Sequence, residues 1–489
     1  MEKLLDLVYS PYSTNWTEQI KSAYDELFSS GGGRYPEKAK SKVTLRAPMF
    51  SSGEKVPFAA LIDPSNPDSG AYGGMSFVIC PVDEGPALIG LFVGTQGLSP
   101  DEDVLGRPGH GRKVAAICKW LNAVYGKGKM VAWAKQDPAR VDVDVPGNIK
   151  MQYMDYKSIF DKYGRVIYGF YSPTDDREAT MRSLCAFLDL MFAERGITPL
   201  KPSERQSEEI KEEYYTHMLP NIDKNMVKDL LDKRKYVVIQ GPPGTGKTRL
   251  ATKLLKEEYG NNGTTIQFHP NTTYENFVGG LAPVYTESGI GFQFAPKKGF
   301  LMEAAEKAAA KPKELFLLNI DEINRADLAK ILGEAIFLLE PEEEDRSVSL
   351  AYNFGEPYYD KLRLPPNLHI LGTMNSSDRS IAIVDIAVRR RFAFIKLWPQ
   401  VEVVKQYGCE LMQEAFIDLL SIFVDYADKE SLDLMPGHSY FLEKDKVQAV
   451  KALKVNLAPL LEEYITQGYV ASFADSIGAY LQWIESLSE

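Results

Sequence analysis

The spacing of apolar residues changes character along the chain. Two uninterrupted apolar runs, MSFVIC at 75–80 and ALIGLFVG at 87–94, predict buried strands, and KVAAICKWLNAVY at 113–125 predicts an amphipathic helix. The Gly-, Pro- and Asp-rich stretches 60–74 and 97–112 between them read as loops. From residue 223 onward short apolar runs alternate with helical periodicity. KYVVIQ (235–240), TTIQFHP (264–270), ELFLLNID (314–321) and LHILGTMN (368–375) are strand candidates with helices between them, the pattern of a parallel sheet covered on both faces. After about residue 401 the strands stop, and helical periodicity recurs at 411–427, 448–464 and 473–487.

This pattern divides the chain into an α+β region at 1–200, an α/β core at 223–400 and a helical region at 401–489. Residues 201–222 are highly charged and flanked by Gly and Pro, and are expected to be a linker. No internal repeat is visible.

Composition narrows the class. At 44% hydrophobic and 25% charged residues, the chain is of globular type. No apolar run approaches the ~20 residues of a membrane span. Four scattered cysteines without a CxxC pair argue against a disulfide scaffold or a zinc knuckle. A cytoplasmic location with no membrane partner is expected. The net charge is −11, unevenly spread: residues 1–200 carry 23 Lys+Arg against 24 Asp+Glu, leaving 33 against 43 for the rest. Neither part has the basic excess of a protein that coats nucleic acid, so any DNA contact is expected from a local patch or a pore.

The chemistry concentrates at Gly241-Pro242-Pro243-Gly244-Thr245-Gly246-Lys247-Thr248, a complete G-x-x-x-x-G-K-[ST] string between a strand and a helix, with Arg249 following. Glycines let backbone N–H groups converge on phosphates, and the helix N-terminus adds positive potential. Lys247 is placed to neutralise the terminal phosphates and Thr248 to ligate Mg²⁺. The run Leu315–Glu322 is an apolar strand ending in two acids. Asp321 is expected at the metal and Glu322 at the attacking water, which it would orient or deprotonate. Asn375 closes a further strand, where it can sense the γ-phosphate. The triplet Arg389-Arg390-Arg391 follows beside an apolar segment and suits phosphate stabilisation in a neighbouring subunit. By contrast, Gly31-Gly32-Gly33-Arg34 lacks the Lys-Thr pair and reads as a flexible loop.

A P-loop core followed by a helical lid is the AAA+ layout, and the motifs resemble one family within it. Gln267-Phe-His-Pro270 with Tyr274-Glu-Asn-Phe277-Val-Gly-Gly-Leu-Ala-Pro283, then Asp321-Glu-Ile-Asn-Arg325-Ala326, Met374-Asn375-Ser-Ser-Asp378-Arg379-Ser380, Arg389-Arg-Arg-Phe392 and Pro436-Gly-His-Ser-Tyr-Phe441 are similar in kind and order to the McrB family, the motors of modification-dependent restriction systems. The match covers roughly residues 220–465. It implies a hexameric ring that hydrolyses a nucleoside triphosphate, usually GTP, with Mg²⁺ and activates a separate McrC-type nuclease. It also implies that Asn375 and Asp378 act on the catalytic water and that Arg390 and Arg391 face the adjacent subunit's phosphates. No N/T-K-x-D base-reading motif is present, so GTP and ATP both stand. His438 reads equally as a turn cap or a nucleotide contact.

In that family the segment before the motor reads DNA. Trp16, Trp120 and Trp133 with many tyrosines make residues 1–200 aromatic-rich, and most of these are expected to be core. The candidate phosphate-contacting patch is the loop bearing Arg107, His110, Arg112 and Lys113. No nuclease centre is legible. The competing readings are a MoxR-like ATPase that remodels a protein partner and a binding module whose hydrolysis gates target release.

Overall fold

The computed structural model describes residues 1–29, 31–48, 56–285, 292–340, 346–377 and 386–488. These form two compact units. The first comprises Met1–Pro220 with the short segment Val424–Asp428, and the second Asn221–Phe423 with Lys429–Glu489.

The first unit is built on an antiparallel sheet of six strands: β1 (Thr44–Arg46), β2 (Ala59–Ile62), β3 (Met75–Cys80), β4 (Leu88–Val93), β5 (Ala132–Ala134) and β6 (Ile167–Tyr171), in the order β1-β2-β3-β4-β6-β5. The apolar runs of β3 and β4 are continuous because both faces are covered. Phe77, Ile79 and Leu91 pack with Trp120 and Phe187 from the helices Pro108–Tyr125 and Arg177–Ala193. Val78, Cys80 and Phe92 pack on the other face with Ile149, Ile159 and Phe160. Such two-sided burial is what removes the alternation a half-wet antiparallel sheet would show.

Three sequence expectations are corrected here. The stretch 97–112 is not all loop: a helical turn spans Glu102–Leu105, and the helix expected from 113 begins at Pro108, with proline in its first turn where no N–H is needed. The expected linker is a helix, Lys201–Met218. Ile210 and Tyr214, four residues apart, give it one buried stripe within the first unit, while its charges face outward. Arg34 is an anchor: it is 2% exposed, its Nε donates to Asp189 Oδ1 over 2.7 Å, and its Nη1 donates to Gln206 Oε1 over 2.8 Å.

The second unit carries a parallel sheet made of β7 (Tyr236–Gly241), β8 (Gly263–Gln267), β11 (Phe316–Asp321), β14 (Leu368–Asn375) and β15 (Ala393–Lys396), ordered β15-β7-β14-β11-β8. Its register pairs Asn375 with Gly241 and Ile320 with Gly372, which brings the carboxyl ends of β7, β14 and β11 to one edge. Ligands of open α/β sheets gather at that edge. β15 lies in the apolar stretch beside the arginine triplet. The hairpin β9 (Gly279–Tyr285) and β10 (Phe292–Lys298) was not among the strand candidates; its Tyr285, Phe292 and Phe294 are exposed and so give no core alternation. A two-stranded ladder, β12 (Val348–Ser349) with β13 (Lys361–Leu362), completes the strands. The helices Glu410–Tyr426, Lys446–Ala452, Ala458–Thr466 and Ala474–Ser486 form the C-terminal part, the second and third joined by a π-helical turn at Leu453–Leu457. No described helix is long and apolar enough to cross a membrane.

Candidate functional site

The phosphate loop leaves β7 at Gly241 and enters the helix Lys247–Glu258. Gly244 and Gly246 have φ of +78° and +81°, a left-handed backbone that glycine adopts without steric cost. Lys247 is 7% exposed, and its Nζ donates to Gly241 O over 2.9 Å and Pro242 O over 2.8 Å. Burial pulls its pKa down to about 8, against the opposing pull of the Glu322 and Asp321 carboxylates. The amine is thus held inside the loop by groups that an incoming phosphate can replace. Thr245 Oγ1 donates to Pro242 O over 2.9 Å. Thr248 and Arg249, in the first turn of the helix, are both exposed.

β11 delivers the two acids. Asp321 Oδ1 accepts from Thr248 Oγ1 at 2.9 Å and from Thr373 Oγ1 at 2.5 Å. Glu322 turns into the left-handed region with φ +54°, and its N–H donates to the same Thr373 hydroxyl over 3.2 Å. One hydroxyl therefore orders both acids. Sequence reasoning gave Thr373 no role, because its meeting with Asp321 depends on the strand register that sets Gly372 beside Ile320. Glu322 Oε1 accepts from Asn375 Nδ2 at 2.7 Å, while Oε2 is buried without a hydrogen-bond partner among the described residues and forms an ion pair with Arg325 Nε at 3.6 Å. Burial raises the Glu322 pKa. A carboxylate with one oxygen fixed by a hydrogen bond and the other held only by an ion pair is suited to take a proton from water or to orient it.

The donor set at Thr248 and Asp321 consists of hard oxygens, one carboxylate and one hydroxyl, which fits Mg²⁺ completed by phosphate oxygens and waters. Bound there, the ion would neutralise charge on the phosphates.

The arginine triplet closes the helix Ile386–Arg391. Arg389 and Arg390 are exposed, the Arg389 guanidinium lying 5.3 Å from the Phe394 ring centroid. Arg391 is held within its own chain: Nη2 pairs with Glu340 Oε1 at 3.3 Å, and Nη1 donates to Ala387 O over 2.9 Å. Asp378 lies outside the described residues. In the lid, His438 is 8% exposed and its Nδ1 accepts from the Gln400 N–H at 3.3 Å.

The basic cluster of the first unit is not a solvated loop. Arg107 and Lys113 pair with Glu194 at 3.3 and 3.1 Å, and His110, with a fully buried side chain, lies 3.5 Å from the same carboxylate. Lys113 also meets Asp425 at 2.6 Å, and Arg112 donates to Val424 O and Ala427 O over 2.6 and 2.7 Å, inside the same compact unit. All four side chains are engaged with protein groups, which corrects the expectation of a phosphate-contacting patch. Glu194, lying far along the chain, was the partner that local sequence could not reveal.

Residues 236–392 match the family model described as an AAA domain of the dynein-related subfamily. The chain is 32% identical over 253 residues to the EcoKMcrB subunit of a type IV methyl-directed restriction enzyme from Escherichia coli (strain K12), spanning 47% of this chain and 54% of that protein. It is 29% identical over 192 residues to the YdiS component of the type II restriction enzyme BsuMI from Bacillus subtilis (strain 168), spanning 32% of this chain and 55% of that one. The chain thus covers about half the length of these curated relatives.

Proposed function

We propose that this chain, a McrB-like AAA+ NTPase, is the ring-forming motor of a restriction system: it hydrolyses GTP or ATP with Mg²⁺ and activates a separate McrC-type nuclease on DNA. The observation that carries the hydrolytic part is the Thr373-centred pair of acids, with Asp321 bonded to Thr248 and Glu322 bonded to Asn375. Two carboxylates ordered by one hydroxyl support the reading of Asp321 at the metal and Glu322 at the attacking water. The restriction role is supported by the two relatives, both components of restriction enzymes. They do not favour the protein-remodelling alternative.

In this reading Lys247 leaves the loop carbonyls for the β- and γ-phosphates, Glu322 orients the water, and Asn375 holds the Glu322 carboxylate in place. The exposed Arg390 reaches the neighbouring subunit's nucleotide in a hexameric ring. Arg391, tied to Glu340, braces the helix that presents it. DNA is met through residues 1–200 or through the pore of the ring.

The test combines phosphate release from GTP and from ATP, particle size with and without each nucleotide, and DNA cutting after a McrC-type nuclease is added. Hydrolysis of at least one nucleotide and nucleotide-dependent growth in size are expected, and both vanish in Lys247→Ala. A parent chain that hydrolyses neither, or a Lys247→Ala chain that hydrolyses and assembles like the parent, defeats the motor reading. Hydrolysis without any DNA cutting defeats the restriction reading alone.

A further inference from the structure

A phosphate loop works by turning peptide N–H groups inward, and in a planar trans peptide unit the carbonyl then points the opposite way. Which group holds each outward carbonyl therefore decides how each N–H is aimed. Gly241 O and Pro242 O are held by Lys247 Nζ. Those peptide units end in the nitrogens of Pro242 and Pro243, which carry no hydrogen. The next two units end in Gly244 N–H and Thr245 N–H, the first real donors of the loop. Their carbonyls, Pro243 O and Gly244 O, accept from the lid: Gly437 N–H at 2.9 Å and Ser439 N–H at 3.0 Å. The lid turn thus orients the two peptide groups.

The approach leaves no room for side chains. A Cβ on Gly437 would lie 2.1 Å from Gly244 C, and one on Gly244 would lie 2.4 Å from Ser439 Oγ. Backbone contact this close needs a fixed seat, and Asp433 supplies it. Lys396 Nζ donates to both Asp433 oxygens, over 2.7 and 2.9 Å. Lys396 ends β15 in register with Gln240, the residue before the loop, and Leu397 N–H donates to Gln240 O over 2.8 Å. Asp433 O also accepts from Ser376 Oγ at 3.2 Å, one residue beyond Asn375. The seat therefore stands on the roots of both the phosphate loop and the sensing strand.

We propose that Asp433 and Lys396 are positioning residues for nucleotide binding: their ion pair seats the turn at 435–441 on the phosphate loop and thereby aims the Gly244 and Thr245 N–H groups at the phosphates. The proposal rests on reading the loop as a nucleotide site.

The experiment titrates the full chain with fluorescent mant-GTP and mant-ATP, and follows thermal unfolding without nucleotide in parallel. Asp433→Asn and Lys396→Gln are each expected to weaken binding about tenfold, the effect of losing a charge-assisted hydrogen-bonded pair. The exchanged pair Lys396→Asp with Asp433→Lys recovers part of that loss, and Gly437→Ala, which drives the turn off the loop, weakens binding as well. Unchanged affinity in both single variants overturns the proposal while leaving the nucleotide site standing. So does a loss that the exchanged pair fails to recover and that tracks a fall in the nucleotide-free unfolding midpoint. A parent chain that binds neither nucleotide overturns the site and the seating together.

Discussion

The side-chain amide of Asn375 donates to Oε1 of Glu322 across 2.7 Å, joining the ends of two adjacent strands. The bond holds one carboxylate oxygen; the other is buried with no hydrogen-bond partner among the described residues and pairs with Arg325 at 3.6 Å.

Glu322→Gln keeps the shape and the bond to Asn375 but removes the basic oxygen. Mant-nucleotide binding is expected to stay within a few-fold of the parent, and phosphate release to fall by about 10²–10⁴-fold, the usual contribution of a general base. Turnover at the parent rate would remove Glu322 from the chemistry.

Arg390 and Arg391 are expected to separate. Arg390→Ala binds nucleotide and slows hydrolysis by ~10³-fold or more, on the scale of arginine fingers. Mixed with Lys247→Ala chains it regains part of the activity, because some interfaces then pair an intact cradle with an intact arginine. Arg391→Ala instead lowers thermal stability, since Glu340 loses its partner. Mixtures that co-assemble without recovering activity return Arg390 to a surface role.

His438 makes the second unit sensitive to acid. Burial, helped by the charge of Arg249, pulls its pKa from 6.5 down to about 4. With Nδ1 accepting from Gln400 N–H, protonation has to break that bond. The folded state binds fewer protons than the unfolded between those values. The contribution of the neutral ring is therefore complete above pH 6.5 and lost as pH falls toward 4, by roughly 3 kcal/mol in all. Denaturant unfolding of the parent and of His438→Asn, whose amide oxygen can accept the same bond, measures it. The stability advantage of the parent shrinks across pH 6.5 to 4, and parallel curves would refute the assignment.

In the first unit Arg34→Met leaves Asp189 without the guanidinium it was buried against. Removing one partner of a buried pair costs about 3–5 kcal/mol, so this variant is expected to unfold its first unit at markedly lower denaturant while retaining nucleotide binding in the second. An unchanged unfolding profile would make the pair dispensable.

The sequence by itself determined the phosphate loop, the acid-ended strand and the sheet that carries them. A phosphate cradle needs glycines, a lysine and a hydroxyl within one turn, and an apolar strand ending in two acids needs only its own run of residues. Both are local patterns, so β7, β11 and β14 and the placement of Lys247, Thr248, Asp321 and Glu322 at the ends of β7 and β11 were legible in advance. Tertiary structure alone decided what lies opposite each group. Thr373 meets Asp321 only through strand register, and Glu194 gathers Arg107, His110 and Lys113 from far along the chain. Arg391 meets Glu340 of its own chain, and Asp433 reaches Lys396 only once the lid has folded back onto β15. Charges and carbonyls take whichever partners folding brings within about 3 Å, and sequence spacing records those partners only when they share a turn of helix or a strand.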